Sequence, residues 1–536
     1  MGRVRGVIVD AATGHRLEGR VHALASTGRF HAPPDAVLKV GGGPQFFYAD
    51  GGFELALPRG QADLLVERGT EYLPLRRVVE VPRTGAVTVE LPLARWTNLP
   101  ADGWHAGNTH IHYDEKEARP DERLRLDPRV EDLSVAAVSV LQRRELAYAT
   151  NRYPVGFASD FSTAAYDVDV GEETRHNSQP WEIGYGHVML LGLQSLVEPM
   201  SRGPLVSDDD PDYPPLVDAC DEAHRQGGIA IWCHNGRGME APVAAALGKL
   251  DAFNLFDPYW TDLEWDIWYS LLNCGLRLPA STGSDWFICS SNRVYVQTGA
   301  GSEVADDDHE HSGPSGHDGL HASPLAEGAR DPHPSPLPGG EGTTAAFRYR
   351  RWLDGLRAGR SFITNGPALF LTVEGRAPGQ SLAGTGRRAT LDVSVRWQAA
   401  QPVHRVELVR NGRVVERAVW EEGRREGTLR WRISPAAGAG EWVAARCFGR
   451  GRTSYGHFLW AHTSPLYLGD PAPAGAVGRP TTPEARESAG FFVGEIGRAL
   501  EWIGSRGRYR EAAHRERMVA LFQEAREFYR AIAGSA

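Results

Sequence analysis

Apolar and polar residues alternate in short runs over the first 95 positions: Arg3–Val9, Gly19–Ala25, Gly52–Leu57, Ala62–Glu67 and Val87–Leu93. Side chains two apart share one face of a strand, so each run predicts a strand with one face in a core. Turn signals such as Thr13-Gly14 and Asp50-Gly51-Gly52 separate the runs. Their shortness and spacing predict a small β-sandwich over residues 1–95. From about 100 to 300 the pattern changes. Continuous apolar runs at Val135–Leu141, Val188–Leu193, Ile229–Cys233 and Arg293–Thr298 alternate with helical periods at Pro215–Gln226 and Asp262–Asn273. That alternation predicts a parallel sheet or a barrel over 96–366, completed by a helix at Ala345–Gly359. Residues 367–468 are again β-rich and predict a second sandwich. A Pro/Ala/Gly linker occupies 469–489. Over 490–536 the 3/4 spacing of Met518, Leu521, Phe522, Ala525, Phe528 and Ile532 predicts a helical tail, its stripe packed in a core or used as a dimer face.

Residues 301–343 interrupt this order. They are rich in Gly, Pro, Asp and His and hold few large apolar side chains. Such a stretch buries too little surface to offset the entropy of ordering it, which predicts a disordered insertion. His309, His311, His317, His321 and His333 also make a metal-binding tract conceivable.

Composition narrows the partners. With 58 Lys+Arg against 68 Asp+Glu the chain carries −10, leaving no basic field to neutralise phosphates, so nucleic acid is not expected. No apolar stretch approaches the ~20 residues of a membrane helix. The five cysteines, Cys220, Cys233, Cys274, Cys289 and Cys447, are odd in number and far apart, which argues against a disulfide framework or a Cys-type zinc site. Met1-Gly2-Arg3-Val4-Arg5-Gly6 runs into a strand pattern without an apolar leader. The expected compartment is therefore the cytoplasm, with export open if the start lies elsewhere.

The sharpest local feature is Gly107-Asn108-Thr109-His110-Ile111-His112. On a strand, His110 and His112 present two imidazoles to one side, a common way to hold a metal ion. Further ligand types stand at the ends of later runs: Glu172-Glu173, His234 and Asp285. Strand C-termini of parallel sheets and barrels converge on one mouth, so these groups can meet there. Taken singly, each has an ordinary alternative: loop charges for Glu172 and Glu173, a buried histidine for His234, a helix cap for Asp285. An N/O donor set of this kind suits zinc, manganese or iron better than calcium.

These motifs resemble a known family. His110-x-His112, Gly171-x-Glu173, Gly186-His187-Val188-Met189-Leu190-Leu191-Gly192, His234-Asn235 and Gly283-Ser284-Asp285 occur in the order seen in the PHP (polymerase and histidinol phosphatase) superfamily, in its CehA/McbA-like metallohydrolase branch. Gly359–Pro367 resembles the segment after the barrel in that branch. Asp10–Gly14 and Phe53–Gly60 resemble the carboxypeptidase regulatory-like sandwich. The resemblance implies a multidomain α/β and β protein: a distorted (β/α)7 barrel flanked by two β-sandwiches, with a C-terminal helical segment. It implies one or two divalent ions (Zn, Mn or Fe). His110, His112, Glu173 and Asp285 would hold the first, Glu173 and His234 would contribute to a second, and Glu172 competes with Glu173. The sequence also departs from the family. Val140-Leu141-Gln142-Arg143 stands where Thr-Asp-His is usual, Asp285-Trp286-Phe287 where Asp-x-His is usual, and Gly107-Asn108 for Gly-Asp.

Held by two histidines and two carboxylates, a divalent ion would acidify bound water, which makes hydrolysis of an ester, amide or phosphoester in a small-molecule substrate the expected chemistry. His234 or His187 would carry the leaving-group proton, and Arg143 or Arg293 would meet an anionic substrate. The alternative is a degenerate barrel that binds a ligand or glycan, with Trp104, Trp181, Trp260, Trp265, Trp268 and Trp286 available to line a sugar cleft. A homo-oligomer formed through the C-terminal helices is also open.

Overall fold

The computed structural model describes the chain except for residues 42, 142–147, 177–183, 199–210, 235–237, 257–264, 300–342, 384–389, 435–439, 470–479 and 535–536. Residues 301–342 of the expected insertion and 470–479 of the linker therefore lie outside the described residues, as does Arg143. What is described is multidomain and strand-rich, with one large mixed sheet and seven α-helices.

The first 95 residues form two sheets that share a core. Strands Gly52–Leu57, Gly2–Asp10 and Ala86–Leu93 make one; Phe47–Ala49, Gly19–Leu24, Gly60–Glu67 and Leu75–Val81 make the other. Val4, Ile8, Leu55 and Leu91 meet Val21, Leu64 and Val66 between them. The strand Leu75–Val81 escapes an alternation reading because Arg76, Arg77 and Val78 are exposed in succession; Val79 and Val81 are buried in the core and Leu75 packs half-buried against it.

In the large sheet, Trp104–His112 pairs in parallel with Val135–Val140, and that strand in parallel with Asp167–His176. Gly186–Leu191 then runs antiparallel to both Asp167–His176 and Ile229–Trp232. Parallel pairing resumes through Ala252–Asn254 to Ala280–Ser281, and Asp285–Trp286 pairs back onto Ile111–His112. Trp104–His112 is thus flanked by Val135–Val140 and by Asp285–Trp286, both parallel to it. Val135–Val140, Gly186–Leu191 and Ile229–Trp232 are largely apolar and buried along their whole length, as strands covered on both faces are. Helix Leu216–Arg225 covers one side with Leu216, Val217, Ala219, Cys220 and Ala223.

Ser361–Thr364 bonds to Arg293–Gln297 on one edge and Phe458–Thr463 on the other, joining the central sheet to the C-terminal strands. There, Leu391–Arg410 and Arg413–Ile433 form a long ribbon. Its turn is Asn411-Gly412, both at positive φ (48° and 81°), as a two-residue hairpin of this hand requires.

The tail is two helices, Pro483–Ser505 and Ala512–Ala533. The first begins inside the expected linker, where the Thr482 side chain caps Ala485 N–H at 3.1 Å and Pro483 fits the first turn. Met518, Phe522, Ala525 and Ile532 are 0–1% exposed within this chain, so that stripe is core. The Tyr529 hydroxyl reaches the Pro242 carbonyl at 2.8 Å, tying the tail to the helix after His234.

A buried ion cluster fastens the parts together. Glu131 accepts from Arg20 of the N-terminal sheets (3.1 and 2.9 Å) and from Tyr455 of the C-terminal strands (2.9 Å). Arg293 of the central sheet also donates to it, through Nη1 to its carbonyl (2.6 Å) and Nη2 to its carboxylate (3.3 Å). This corrects the expectation for Arg293. At 1% exposed and committed to Glu131, it holds domains together and is not presented to a substrate. All five cysteines are buried free thiols.

Candidate metal centre

The strand Trp104–His112 is buried from Ala106 onward, and its pleat sends His110 and His112 to one side. Their Nε2 atoms lie 3.0 Å apart. Neither imidazole reaches solvent.

Asp167–His176 supplies the acid. Adjacent side chains of a strand point to opposite faces, so only one of Glu172 and Glu173 can look at the histidines. It is Glu173, whose Oε2 lies 2.8 Å from His112 Nε2 and 3.6 Å from His110 Nε2. Glu172 turns away, accepting from Thr174 Oγ1 (2.9 Å) and Val197 N–H (2.8 Å). Glu173→Gln is therefore expected to empty the protein of bound divalent metal, while Glu172→Gln retains it. Metal analysis of the two purified variants checks this, and equal retention would show that the assignment is wrong.

Asp285 arrives from the short strand that pairs with Ile111, and not from a helix cap. Its Oδ1 stands 3.3 Å from His110 Nε2 and 3.8 Å from His112 Nε2. The approach is tight. A Cβ on Gly283 would sit 2.4 Å from the His110 Cβ, so only glycine lets the chain pass, and Asp285 itself takes a left-handed φ of 58°. Such conformations cost about 1–3 kcal/mol and persist where surrounding structure enforces them.

His110, His112, Glu173 and Asp285 each offer one ligand atom, all within 4.8 Å of one another, and all four are buried; this cluster could hold a metal ion. A tetrahedral ion with bonds of ~2.0–2.1 Å sets its ligands ~3.3 Å apart. The five separations above, 2.8 to 3.8 Å, scatter about that value. Asp285 Oδ1 is moreover buried without a hydrogen bond, as an atom reserved for an ion would be.

Around these four sit groups that orient them. His112 Nδ1 lies 2.8 Å from the Ser139 carbonyl. A carbonyl only accepts, so Nδ1 donates, and Nε2 is the ring atom turned toward the other ligands. Arg175, two residues beyond Glu173 on the same face, grips that carboxylate with both arms: Nε to Oε1 at 2.9 Å and Nη2 to Oε2 at 2.6 Å. The sequence reading passed over Arg175, although the two-residue period from Glu173 points to it. Trp286 lies against the His112 ring at 5.1 Å and against Tyr148 at 5.2 Å.

A second group adjoins the first. His187 Nδ1 is 3.0 Å from Glu173 Oε1 and 3.2 Å from His234 Nε2, and His234 Nε2 is 3.8 Å from Glu173 Oε1. These three donors also lie close enough to share an ion. The ends of Gly186–Leu191 and Ile229–Trp232 are thus brought to the same carboxylate.

The charges are strongly perturbed. Burial would raise the Glu173 carboxyl, but Arg175 and the donors His110, His112 and His187 hold it well below the usual range. Burial pushes Asp285 up to about 6, against the pull of His110. Burial and the neighbouring His187 hold His234 well below its ordinary value.

The tryptophans divide. Trp265 and Trp268 are core, 4% and 0% exposed, and Trp104 packs on Phe362 and Phe370. Trp181 and Trp260 lie outside the described residues. Only Trp286 adjoins the centre among those described.

No family model matches this chain, and no curated protein does. Among solved structures, a streptococcal ancillary pilin overlaps 22% of this chain and 37% of its own, at 16% identity and a TM-score of 0.13. The four N-terminal immunoglobulin domains of Dscam1 isoform 8.4 overlap 88% of this chain and 99% of theirs, at 9% identity and a TM-score of 0.11. Overlaps this loose carry neither fold nor function across. The pilin alignment spans little more than a third of that protein.

Proposed function

We propose that this chain is a metal-dependent hydrolase of the PHP type, in the CehA/McbA-like branch, its central sheet being that family's distorted (β/α)7 barrel. One observation carries the reading. His112 Nε2 lies 2.8 Å from Glu173 Oε2 and 3.0 Å from His110 Nε2, and Asp285 Oδ1, which makes no hydrogen bond, faces both imidazoles. Two imidazoles and two carboxylates converging this closely in a buried space make a set of ligand atoms that a cation among them would satisfy. Zinc, manganese or iron matches the two-nitrogen, two-oxygen donor set.

A divalent ion bound there would acidify a water and polarise the oxygen of a scissile ester, amide or phosphoester. The protein does the rest. The Ser139 carbonyl fixes the His112 ring, and Arg175 fixes the Glu173 carboxylate, so the donors are set before substrate arrives. His187 and His234, 3.2 Å apart, form a relay in which one ring donates and the other accepts. It runs from Glu173 Oε1 and suits movement of a proton from attacking water to leaving group. Burial keeps bulk water from competing.

The test strips the purified protein with a chelator, restores Mn, Zn or Fe(II), and measures turnover of a panel of phosphoesters, carboxylic esters and amides. Metal-restored hydrolysis that His110→Ala abolishes is the expected result. Retention of glycans without turnover under any metal would overturn it in favour of a degenerate barrel.

A further inference from the structure

The two donor groups share Glu173, and both its oxygens are already engaged by one buried guanidinium. Arg175 Nε donates to Oε1, the oxygen that faces His187 and His234; Nη2 donates to Oε2, the oxygen that faces His110 and His112. Arg175 is 6% exposed and remains cationic at any working pH. Among the described residues the second donor group, unlike the first, brings no carboxylate of its own: it consists of two imidazoles and the shared Glu173.

We propose that Arg175 is a built-in cation that takes the place of a second metal, so that the centre holds one divalent ion, at His110, His112, Glu173 and Asp285. The inference rests on the metal-centre reading above and adds its nuclearity. With two carboxylates, one guanidinium and one divalent ion, the buried cluster carries a single net positive charge. A second ion would raise that to three in a space closed to solvent, where like charges repel most strongly. His187 and His234 are thereby left to handle protons. Arg175 acts as a positioning residue: it orients Glu173 and excludes an ion without touching substrate.

Metal stoichiometry of the full chain, reloaded with Mn or Zn and dialysed, tests this, read by elemental analysis and by the Mn(II) electron-spin-resonance spectrum. The wild type should bind one ion per chain and give a mononuclear spectrum. His234→Ala should keep that ion. Arg175→Gln, which removes the charge but keeps a hydrogen-bonding amide, should bind two and show exchange-coupled manganese. Arg175→Lys should stay at one. Two ions in the wild type, or loss of the ion in His234→Ala, would overturn the inference while leaving a metal centre in place; both readouts survive if Arg175→Gln fails to fold. A folded Arg175→Gln that binds one ion would overturn it too. No ion in any protein would overturn the metal reading itself, and this inference with it.

Discussion

Asp285→Asn should lower the affinity for divalent metal by two orders of magnitude or more, and hydrolysis with it. Losing a group that merely orients a ligand typically costs 10–100-fold in metal affinity or activity, and Asp285 is placed as a ligand itself. Its Oδ1 faces His110 Nε2 at 3.3 Å and is buried without a hydrogen bond among the described residues. Asparagine is the right probe because the backbone there is left-handed, with φ at 58°. Asparagine enters that region more readily than most residues, so the variant removes charge without adding backbone strain. Titration of chelator-stripped protein with zinc or manganese, beside activity at saturating metal, measures the effect. Wild-type affinity in Asp285→Asn would remove Asp285 from the ligand set.

Glu131→Ala should destabilise the protein by about 3–5 kcal/mol, the usual result of breaking a buried ion pair on one side. The loss takes this carboxylate from two buried guanidiniums, Arg20 and Arg293, 2% and 1% exposed, and from the Tyr455 hydroxyl, leaving the charges with backbone carbonyl partners. These come from the N-terminal sheets, the central sheet and the C-terminal strands, so the same change should loosen all three against one another. Denaturant unfolding followed by tryptophan fluorescence, with limited proteolysis for the separation of parts, reads both effects. Arg432→Ala is the control: its pair with Asp392 spans 3.0 Å, but the side chains are 76% and 71% exposed. Surface pairs of that kind contribute ~0–1 kcal/mol. If Glu131→Ala matched the control, the ion cluster would be incidental to stability.

Much of the centre was legible from spacing. The two-residue period put His110 and His112 on one side, the ends of later apolar runs pointed to Glu172-Glu173, His234 and Asp285, and the family resemblance added His187. All of these but Glu172 meet. Arg293 misled because an arginine beside an apolar run looks alike whether it faces a substrate or a carboxylate from another domain. Glu131, its partner, is 162 residues away in the chain. The tail stripe was likewise ambiguous: the same spacing serves a dimer or a chain that folds back on itself.

Sequence by itself determined which residue types could carry chemistry, where most of the apolar strands run, and that His110 and His112 share a side, because these follow from local backbone geometry. Which of Glu172 and Glu173 faces inward was decided by the tertiary structure, through the register that sets Glu172 opposite Val140 and Glu173 opposite Met189. So were the grip of Arg175 on Glu173, the hold of Ser139 on His112, and the burial that shifts their charges. A pleat's period is fixed within one strand. Its phase is fixed only by neighbouring strands, and charge depends on everything packed around it.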